Sequence, residues 1–394
     1  MRFVVLDSWR GVCALTVAMY HFMAKGHLLE APLVSGSYLF VDFFFVLSGF
    51  VITHAYGGRL RSVRDLVAFA VRRVARLWPL HLAVLVGMIW MEGMEFFAAD
   101  LGQAGAGPGF GGPNQASNIL PNALLLHSLG FGQSLSWNIP SWSISAEMAV
   151  YAVFAVTTLL LPARQLRLFA VVAALGAASL IAAFSTSHMN VPGILGAFRA
   201  LFGFFVGHLI FGGLARLRSG FLGGTVAASA WEAGAVLGMV AFVFLCGNNA
   251  LSLLAPMVFG AVVLIFSQEA GLISRGMRYP GMVMLGTLSY GLYMVHYPLF
   301  ILFRKITLLA QSMLGVPLTS VVEDFRGYSG PMLVIDFGSP WAMDLLALVF
   351  LAGTVVLAFL AHRWIEMPGQ RLFLSFVNGP ISSFGRRIYQ RRRA

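Results

Sequence analysis

The sequence predicts an all-α fold: a polytopic bundle of about ten transmembrane helices with both termini in the cytoplasm. Three observations support this prediction, namely the hydrophobic composition, the recurrence of apolar segments and the uneven distribution of arginine. Of the 394 residues, 59% are hydrophobic and 10% are charged, whereas a soluble domain usually contains about 25% charged residues. The apolar segments recur at lengths of about 20 residues, enough to cross a hydrocarbon core of roughly 30 Å.

The apolar segments are expected to be helices rather than barrel strands. In the hydrocarbon core every backbone amide needs a partner within the protein, which leaves helices and closed barrels as the spanning structures. The segments are continuously apolar, whereas barrel strands alternate between apolar and polar residues. We place the predicted spans at residues 5–26, 37–57, 77–98, 142–162, 168–186, 196–214, 229–247, 250–268, 281–303 and 341–363. A further apolar segment, 119–131, is too short to span and is predicted to be re-entrant or interfacial.

The basic residues predict the orientation of the spans. If the N-terminus is cytoplasmic, most arginines fall on the cytoplasmic side, and the outer side has only Lys25, Arg199, Arg304, Lys305 and Arg326. This distribution follows the positive-inside rule. It predicts an even number of spans across the inner (plasma) membrane, with both termini on the cytoplasmic side. The same rule accounts for the formal net charge of +11. No nucleic-acid partner is expected, because the chain has no basic soluble module.

The chain is predicted to form one transmembrane domain, residues 1–373, followed by a basic cytoplasmic tail, 374–394, that contacts anionic membrane lipid. The glycine-rich stretch at 105–112 follows no strand, so it does not predict a nucleotide-binding loop. The two cysteines, Cys13 and Cys246, form neither a disulfide nor a metal-ligand pattern. No metal cofactor is therefore expected.

Ionisable residues within membrane spans are rare and usually functional. Here they are Arg10 and His21 in the first span, Asp42 at the start of the second, Glu147 in the fourth and His296 in the ninth. Arg10 and His21 fall on nearly the same helix face but roughly 16 Å apart along the axis, so they cannot bond to each other. Counted along their spans, Asp42, Glu147 and His296 lie at a depth similar to that of His21. We therefore predict a cluster of acid and base groups near the outer face.

Arg73 and Arg76 lie three positions apart and share a helix face at the inner mouth of the third span. Such a pair could hold the phosphates of an elongated anionic donor, whose arm would run through the bundle towards His21. A neutral histidine is a natural general base for an acceptor hydroxyl at near-neutral pH. The alternative is that both arginines only follow the positive-inside rule and that Arg10 and His21 form structural pairs.

The motifs around these residues resemble those of the acyltransferase 3 family, an integral-membrane group with about ten spans. The most specific motif is an arginine and a histidine separated by ten residues in the first helix, which "LDSWRGVCALTVAMYHF" (6–22) supplies. Further motifs follow in the family's order: "VDFFFVLSGF" (41–50), "RVARLWP" (73–79), "WSISAE" (142–147), "SYGLYMVHYPL" (289–299) and "EMP" (366–368). Together they cover almost the whole chain.

The resemblance implies an acyl-CoA donor, usually acetyl-CoA, and as acceptor a hydroxyl of a cell-envelope or exported carbohydrate, free or lipid-linked. It marks Arg10 and His21 as the essential pair, and Arg73 and Arg76 as residues that bind the donor. We predict His21 to be a general base or a transient acyl carrier. Arg10 would lie along the donor arm or stabilise negative charge on the attacked carbonyl group. Because no SGNH-type esterase domain follows the last span, the transfer is expected within the bundle or on a partner.

The other polar residues of the spans have predicted supporting roles. Glu147 is predicted to orient His21 or to bind sugar, and His296 to be a second acid or base or a structural partner of Tyr293. Ser48 is expected to be a helix-packing position rather than a nucleophile, because Ser-Gly pairs let helices approach closely. We expect the closing motif to provide an ion pair or a brace for the arginines, formed by Arg363 and Glu366.

Three other functions remain open from the residues alone. Intramembrane His, Glu and Arg also mark proton-coupled transporters, although the spans show no internal repeat of the kind that many transporters contain. An acyltransferase with a lipid or small-molecule acceptor would have the same motifs. A regulatory membrane scaffold without activity is the third alternative.

Overall fold

The structure of this chain is a computed structural model that describes residues 3–100, 109–214, 222–327 and 330–376. Within these residues, ten α-helices coincide with the ten predicted spans. In chain order they are α1 (Val4–His21), α2 (Phe40–Tyr56), α3 (Val63–Asp100), α4 (Trp142–Leu160), α5 (Ala163–Phe184), α6 (Gly193–Leu214), α7 (Thr225–Cys246), α8 (Ala255–Phe266), α9 (Pro280–Leu314) and α10 (Pro340–Ala361). The predicted fold class, an all-α polytopic membrane bundle, is confirmed.

Eight helical segments of the described residues are long and apolar enough to cross a membrane. α1 is not among them because Asp7 and Arg10 lower the mean hydropathy of its 18 residues. α8 is too short, with 12 residues. The protein is therefore a multi-pass membrane protein. The count of ten spans and the cytoplasmic location of both termini stay predictions.

α3 is much longer than its predicted span. It has 38 residues and begins at Val63, whereas the apolar run in the sequence begins only at residue 77. The first turns carry several arginines, which interrupt the apolar run but do not end the helix. Regular helix therefore extends through Arg73 and Arg76 and fixes their spacing.

α1 and α9 approach each other closely because glycine lies at their contact. A Cβ atom on Gly11 would lie 2.5 Å from the carbonyl carbon of Leu285, and one on Gly286 would lie 2.5 Å from the carbonyl oxygen of Asp7. Small residues at a helix interface allow such close backbone contact. This contact sets α1 beside α9, the two helices that carry the histidines of the first and ninth predicted spans.

The segment 307–340, between the ninth and tenth predicted spans, contains an antiparallel hairpin. Its strands are β1 (Thr319–Glu323) and β2 (Pro331–Ile335). Ile335 also bonds to the chain just after α1: its N–H donates to Met23 O and its carbonyl accepts from Lys25 N, both at 3.0 Å. Lys25 Nζ lies 2.9 Å from Asp336 Oδ2, and the hydrogen bond from Lys25 lowers the pKa of Asp336. The hairpin is thus attached to the end of α1.

The shorter helices lie between or after the long ones. They are Pro32–Ser35, Ile119–Ala123, Leu272–Met277 and Met367–Phe376, and a π-helical turn spans His362–Glu366. The helix at Ile119–Ala123 belongs to the segment predicted not to span, and it packs against α3. Trp78 Nε1 donates to Ala123 O at 2.7 Å, and His81 Nε2 lies 2.8 Å from Asn122 O. Residues 377–394, most of the predicted tail, lie outside the described part of the chain.

Candidate active site

Three arginines from two helices line one cavity. Arg10 comes from α1, and Arg73 and Arg76 come from α3. Together with Glu147 and Tyr151 of α4 they line a cavity of about 360 Å³, which we call the arginine cavity. The structure therefore brings together the two arginine motifs, which lie more than 60 residues apart in the chain.

The arginine cavity has an excess of positive charge. Arg10 Nη1 lies 3.6 Å from Asp7 Oδ1, but no carboxylate among the described residues forms an ion pair with Arg73 or Arg76. The guanidinium carbon of Arg73 lies 5.6 to 5.8 Å from the ring centroids of Tyr56, Phe69 and Tyr151, and its buried Nε has no hydrogen-bond partner. A buried donor without an acceptor calls for an explanation, and an anionic ligand would supply the acceptor.

Glu147 belongs to the arginine cavity, so the prediction that it orients His21 is wrong. Its Oε1 accepts hydrogen bonds from Ser48 Oγ and, at 2.6 Å, from Tyr151 OH. The reason is depth along α4: Trp142, five residues earlier, is at the level of His21, and five residues advance a helix by about 7.5 Å. Ser48 therefore faces this cavity, and the close helix contact expected of it is made by Gly49, where an added Cβ would meet Phe204 O.

A second cavity surrounds His21. Its volume is about 230 Å³, and we call it the histidine cavity. Its lining includes aromatic and polar side chains, namely Tyr20, Tyr38, Trp142, Tyr293, Ser187, Asn190 and Arg199. His21 is the last residue of α1, and its Nδ1 lies 3.1 Å from His296 Nε2 of α9. The two histidines, predicted to lie at a similar depth, are therefore in direct contact.

The hydrogen bonds define the tautomers of the histidine pair when both rings are neutral. His296 Nδ1 lies 3.1 Å from Leu292 O, and a carbonyl only accepts, so this nitrogen carries the proton. His296 Nε2 is then an acceptor for His21 Nδ1, which also lies 3.0 Å from Val17 O. The proton of His21 is therefore on Nδ1, and Nε2 has a free lone pair, the form that a general base requires.

Asp42 is not part of an acid and base cluster with His21, contrary to our prediction. Both of its carboxylate oxygens bond to Arg199 of α6, Oδ1 to Nε at 3.0 Å and Oδ2 to Nη2 at 2.7 Å. Asp42 is 0% exposed and Arg199 is 1% exposed. From the sequence we assigned Arg199 to the outer side, although its position inside the predicted span 196–214 indicated that it needed a buried partner.

The two cavities share a wall. Val41 of α2 and Tyr293 of α9 line both of them. Tyr293 OH lies 3.1 Å from Pro140 O and 2.8 Å from Ser143 Oγ. Tyr293 thus bonds to the start of α4 instead of to His296, although their rings are in contact at 5.8 Å.

Glu366 lines neither cavity and has a different partner from the one expected. Its Oε2 lies 2.7 Å from His362 Nδ1, so the expected ion pair with Arg363 is not formed. The cause is the π-helical turn at His362–Glu366, which changes the side-chain register that an α-helix would give. In the described ranges, no group of three or more His, Cys, Asp or Glu side chains has the arrangement of a metal site.

Comparison with known proteins gives the family. A family model described as "Acyltransferase domain" matches residues 3–363. The chain belongs to the acyltransferase 3 family. Membership confirms the resemblance seen in the motifs. An acyltransferase 3 chain is a membrane-bound acyltransferase, which disfavours the transporter and scaffold alternatives.

Three curated proteins illustrate the relationship within or near the acyltransferase 3 family. Acyltransferase MdmB of Streptomyces mycarofaciens is 28% identical over 363 residues, 84% of this chain and 80% of that protein. The putative membrane-bound transacylase BcsY of Komagataeibacter xylinus is 25% identical over 301 residues, 74% of this chain and 72% of that protein. Protein 2 in the picA locus of Rhizobium radiobacter is 33% identical over 165 residues, 39% of this chain and 81% of that protein. No solved structure shows a significant match.

Proposed function

We propose that this protein transfers an acetyl group from cytoplasmic acetyl-CoA to a hydroxyl of a cell-envelope or exported carbohydrate at the inner membrane. One observation carries the proposal: the arginine cavity and the histidine cavity meet at a wall formed by Val41 and Tyr293. A long anionic donor and a hydroxylated acceptor can therefore approach one point from opposite sides. The family assignment supports an acyl donor in general.

The arginine cavity suits the phosphates of coenzyme A. Arg73 and Arg76 have no carboxylate partner among the described residues, and guanidinium groups bind phosphate oxygens through paired N–H donors. The positive-inside rule predicts that this end of the bundle faces the cytoplasm, where acyl-CoA is available. The flexible arm of the donor would cover the roughly 16 Å along α1 from Arg10 to His21.

The histidine cavity suits one sugar ring. Tyr20 and Trp142 supply aromatic rings to its lining, and Ser187 and Asn190 supply hydrogen-bonding groups. A mostly apolar lining with a few placed polar groups is typical of small-molecule sites. The volume of about 230 Å³ is below the range of about 300–1,000 Å³ for drug-sized ligands, so a single ring fits better than an oligosaccharide.

In the proposed mechanism, His21 Nε2 removes the proton of the acceptor hydroxyl while the hydroxyl oxygen forms a bond to the acyl carbon. The C–S bond breaks, and coenzyme A leaves as a thiolate that takes the proton from His21. His296 Nε2, which accepts the Nδ1 proton of His21, fixes the ring during this cycle. In a two-step variant, His21 Nε2 attacks the acyl carbon and coenzyme A leaves as a thiolate; the acceptor hydroxyl then takes the acyl group from Nε2, and its proton passes to the thiolate. Arg10 would lie along the donor arm or stabilise the carbonyl oxygen.

The test compares envelope glycans, by mass spectrometry, from cells with the wild-type chain and with His21→Ala at matched membrane expression. Removal of a positioned base typically lowers a rate by about 10²–10⁴-fold, so we expect loss of the O-acetyl mass with an unchanged glycan backbone. The matched control is His208→Ala, because His208 is also buried but lines neither cavity and bonds to Thr53 Oγ1 at 2.9 Å. We expect this control to retain acetylation.

The outcomes separate the parts of the proposal. Equal acetylation in the wild type and His21→Ala would remove His21 from the mechanism. If no glycan is acetylated but purified protein with membrane lipid releases coenzyme A thiol from acetyl-CoA, the acceptor is a lipid or small molecule. If acetyl-CoA is not consumed under any of these conditions, acetyl-CoA is not the donor.

A further inference from the structure

Val41 and Tyr293 lie where a donor in one cavity would meet an acceptor in the other. They are buried, at 5% and 4% exposure, and they line both cavities. If the donor's phosphates are held by the arginines and His21 activates the acceptor, the acyl group must reach past these two side chains. The aperture between them would then be the narrowest point for the acyl group.

The wall formed by Val41 and Tyr293 is held rigidly. The Tyr293 hydroxyl bonds to Pro140 O at 3.1 Å and to Ser143 Oγ at 2.8 Å, both on the chain at the start of α4. The Tyr293 ring also makes an edge contact with Phe44 at 5.7 Å between centroids. Val41 is β-branched, so its side chain has one strongly preferred rotamer in a helix. Tyr293 cannot move aside for a larger group without loss of these contacts, and Val41 can do so only by leaving its preferred rotamer.

We infer that Val41 and Tyr293 form a filter that limits the donor to short acyl groups. This inference rests on the proposed function, because it assumes an acyl-CoA donor held in the arginine cavity. A close-packed apolar site distinguishes substrates that differ by one methylene group by about 10–200-fold. The wild-type filter should therefore admit acetyl and exclude longer chains.

The experiment uses membrane vesicles that contain the full-length protein and the natural acceptor, with acetyl-, butyryl- and hexanoyl-CoA as probes. Release of coenzyme A thiol and the acyl mass on the acceptor are both measured. For the wild type we expect butyryl-CoA to react at least about 10-fold more slowly than acetyl-CoA. Val41→Ala should reduce this ratio to within a few-fold while acetyl transfer continues.

Two variants of the same residue type are matched controls. Val51→Ala widens the arginine cavity only, and Val17→Ala widens the histidine cavity only. Both should keep the wild-type preference for acetyl-CoA. Tyr293→Phe is a second test at the wall itself, since it keeps the ring but removes the two hydroxyl contacts. It should broaden the acyl range by less than Val41→Ala does.

Each result has a definite reading. The filter would be overturned, and the proposed function left intact, if the wild type used all three acyl-CoAs equally. The same holds if Val41→Ala and Tyr293→Phe, tested singly, both kept the wild-type preference for acetyl-CoA. Equal broadening in Val51→Ala and Val17→Ala would also overturn it, since cavity size in general would then set the preference. No reaction of the wild type with any acyl-CoA would overturn the proposed donor, and the filter with it.

Discussion

The contact between His21 Nδ1 and His296 Nε2, at 3.1 Å, joins the two buried histidines of α1 and α9. Each was found because an ionisable residue in a membrane span is rarely without function. Their direct contact, and the tautomers that follow from it, depend on the carbonyls of Val17 and Leu292 and on the close approach of α1 and α9 at Gly11. No local pattern encodes that approach, so the pair was predicted only as a shared depth.

Glu147, Asp42 and Arg199 show the limit of depth as a guide. Counting along the predicted spans placed both carboxylates at the depth of His21, but α4 carries Glu147 about 7.5 Å beyond that level. Glu147 points into the arginine cavity, and Asp42 points at α6. The position of Arg199 within an apolar span indicated a buried partner, but the sequence alone did not say which carboxylate would provide it.

The arginine pair leads to a prediction about donor affinity. In the double variant Arg73→Lys and Arg76→Lys, charge and topology are kept, but an ammonium group cannot make the paired contact of a guanidinium. A hydrogen bond to a charged group contributes about 1.5–3 kcal/mol, so the Kd for acetyl-CoA should rise by roughly 10-fold or more. Binding is measured by isothermal titration on purified protein in nanodiscs.

The control for this experiment is Arg72→Lys, on the same helix, because Arg72 is exposed and does not line the cavity. Its affinity should equal that of the wild type. Unchanged affinity in the double variant would mean that Arg73 and Arg76 serve only membrane orientation.

At the level of elements, the segment 307–340 has a structural role that the sequence did not suggest. Arg326 is 7% exposed, and its guanidinium donates to carbonyl oxygens at the end of α1: Met19 at 2.9 Å, Phe22 at 3.3 Å and Tyr20. It also donates to Leu29 O at 2.8 Å. The last carbonyls of a helix have no intrahelical partner, so Arg326 completes the turn that carries His21.

We predict that Arg326→Ala lowers kcat with little change in the KM for acetyl-CoA. Loss of these bonds frees the last turn of α1, and a displacement of about 1 Å at a catalytic group can lower a rate by about 10²-fold. The KM should stay within a few-fold because the arginine cavity lies at the other end of α1. Steady-state kinetics on acetyl-CoA measure both quantities.

Arg326→Lys should recover part of the rate, because one ammonium can still bond to some of the carbonyls. Arg304→Ala, which removes another arginine that was assigned to the outer side, should behave as the wild type. A parallel loss of kcat and folded protein in Arg326→Ala would point to a stability role in place of positioning.

The helices themselves were predictable from hydropathy, and the remaining elements were not. Ten helices lie where ten apolar runs stand in the sequence. The hairpin of β1 and β2 was missed because two five-residue strands carry too weak a pattern within a long loop. The first turns of α3 were missed because hydropathy stops at charged residues, whereas helix formation does not.

At the scale of the whole molecule, the orientation in the membrane is a prediction from the distribution of arginine. In a Cys246→Ser background, we expect Thr186→Cys, between α5 and α6, to react in intact spheroplasts with a membrane-impermeant maleimide. Arg164→Cys, at the start of α5, should react only after the membrane is opened. Mass shift on a gel reports both reactions, and Cys13 is buried. If Arg164→Cys reacts in intact spheroplasts and Thr186→Cys does not, the bundle has the opposite orientation. The arginine cavity would then face away from cytoplasmic acyl-CoA.

The buried pair of Asp42 and Arg199 has a consequence for biosynthesis. An ionic residue without its partner is costly to insert into the membrane, and Asp42, in the first turn of α2, lies 157 positions before Arg199, in the second turn of α6. α2 emerges from the ribosome long before α6, so its carboxylate must wait in a hydrated or protein-lined environment until its counter-ion arrives. Stable integration of both helices is therefore a late and joint event, and a chain truncated between them should be a ready substrate for membrane quality-control proteases.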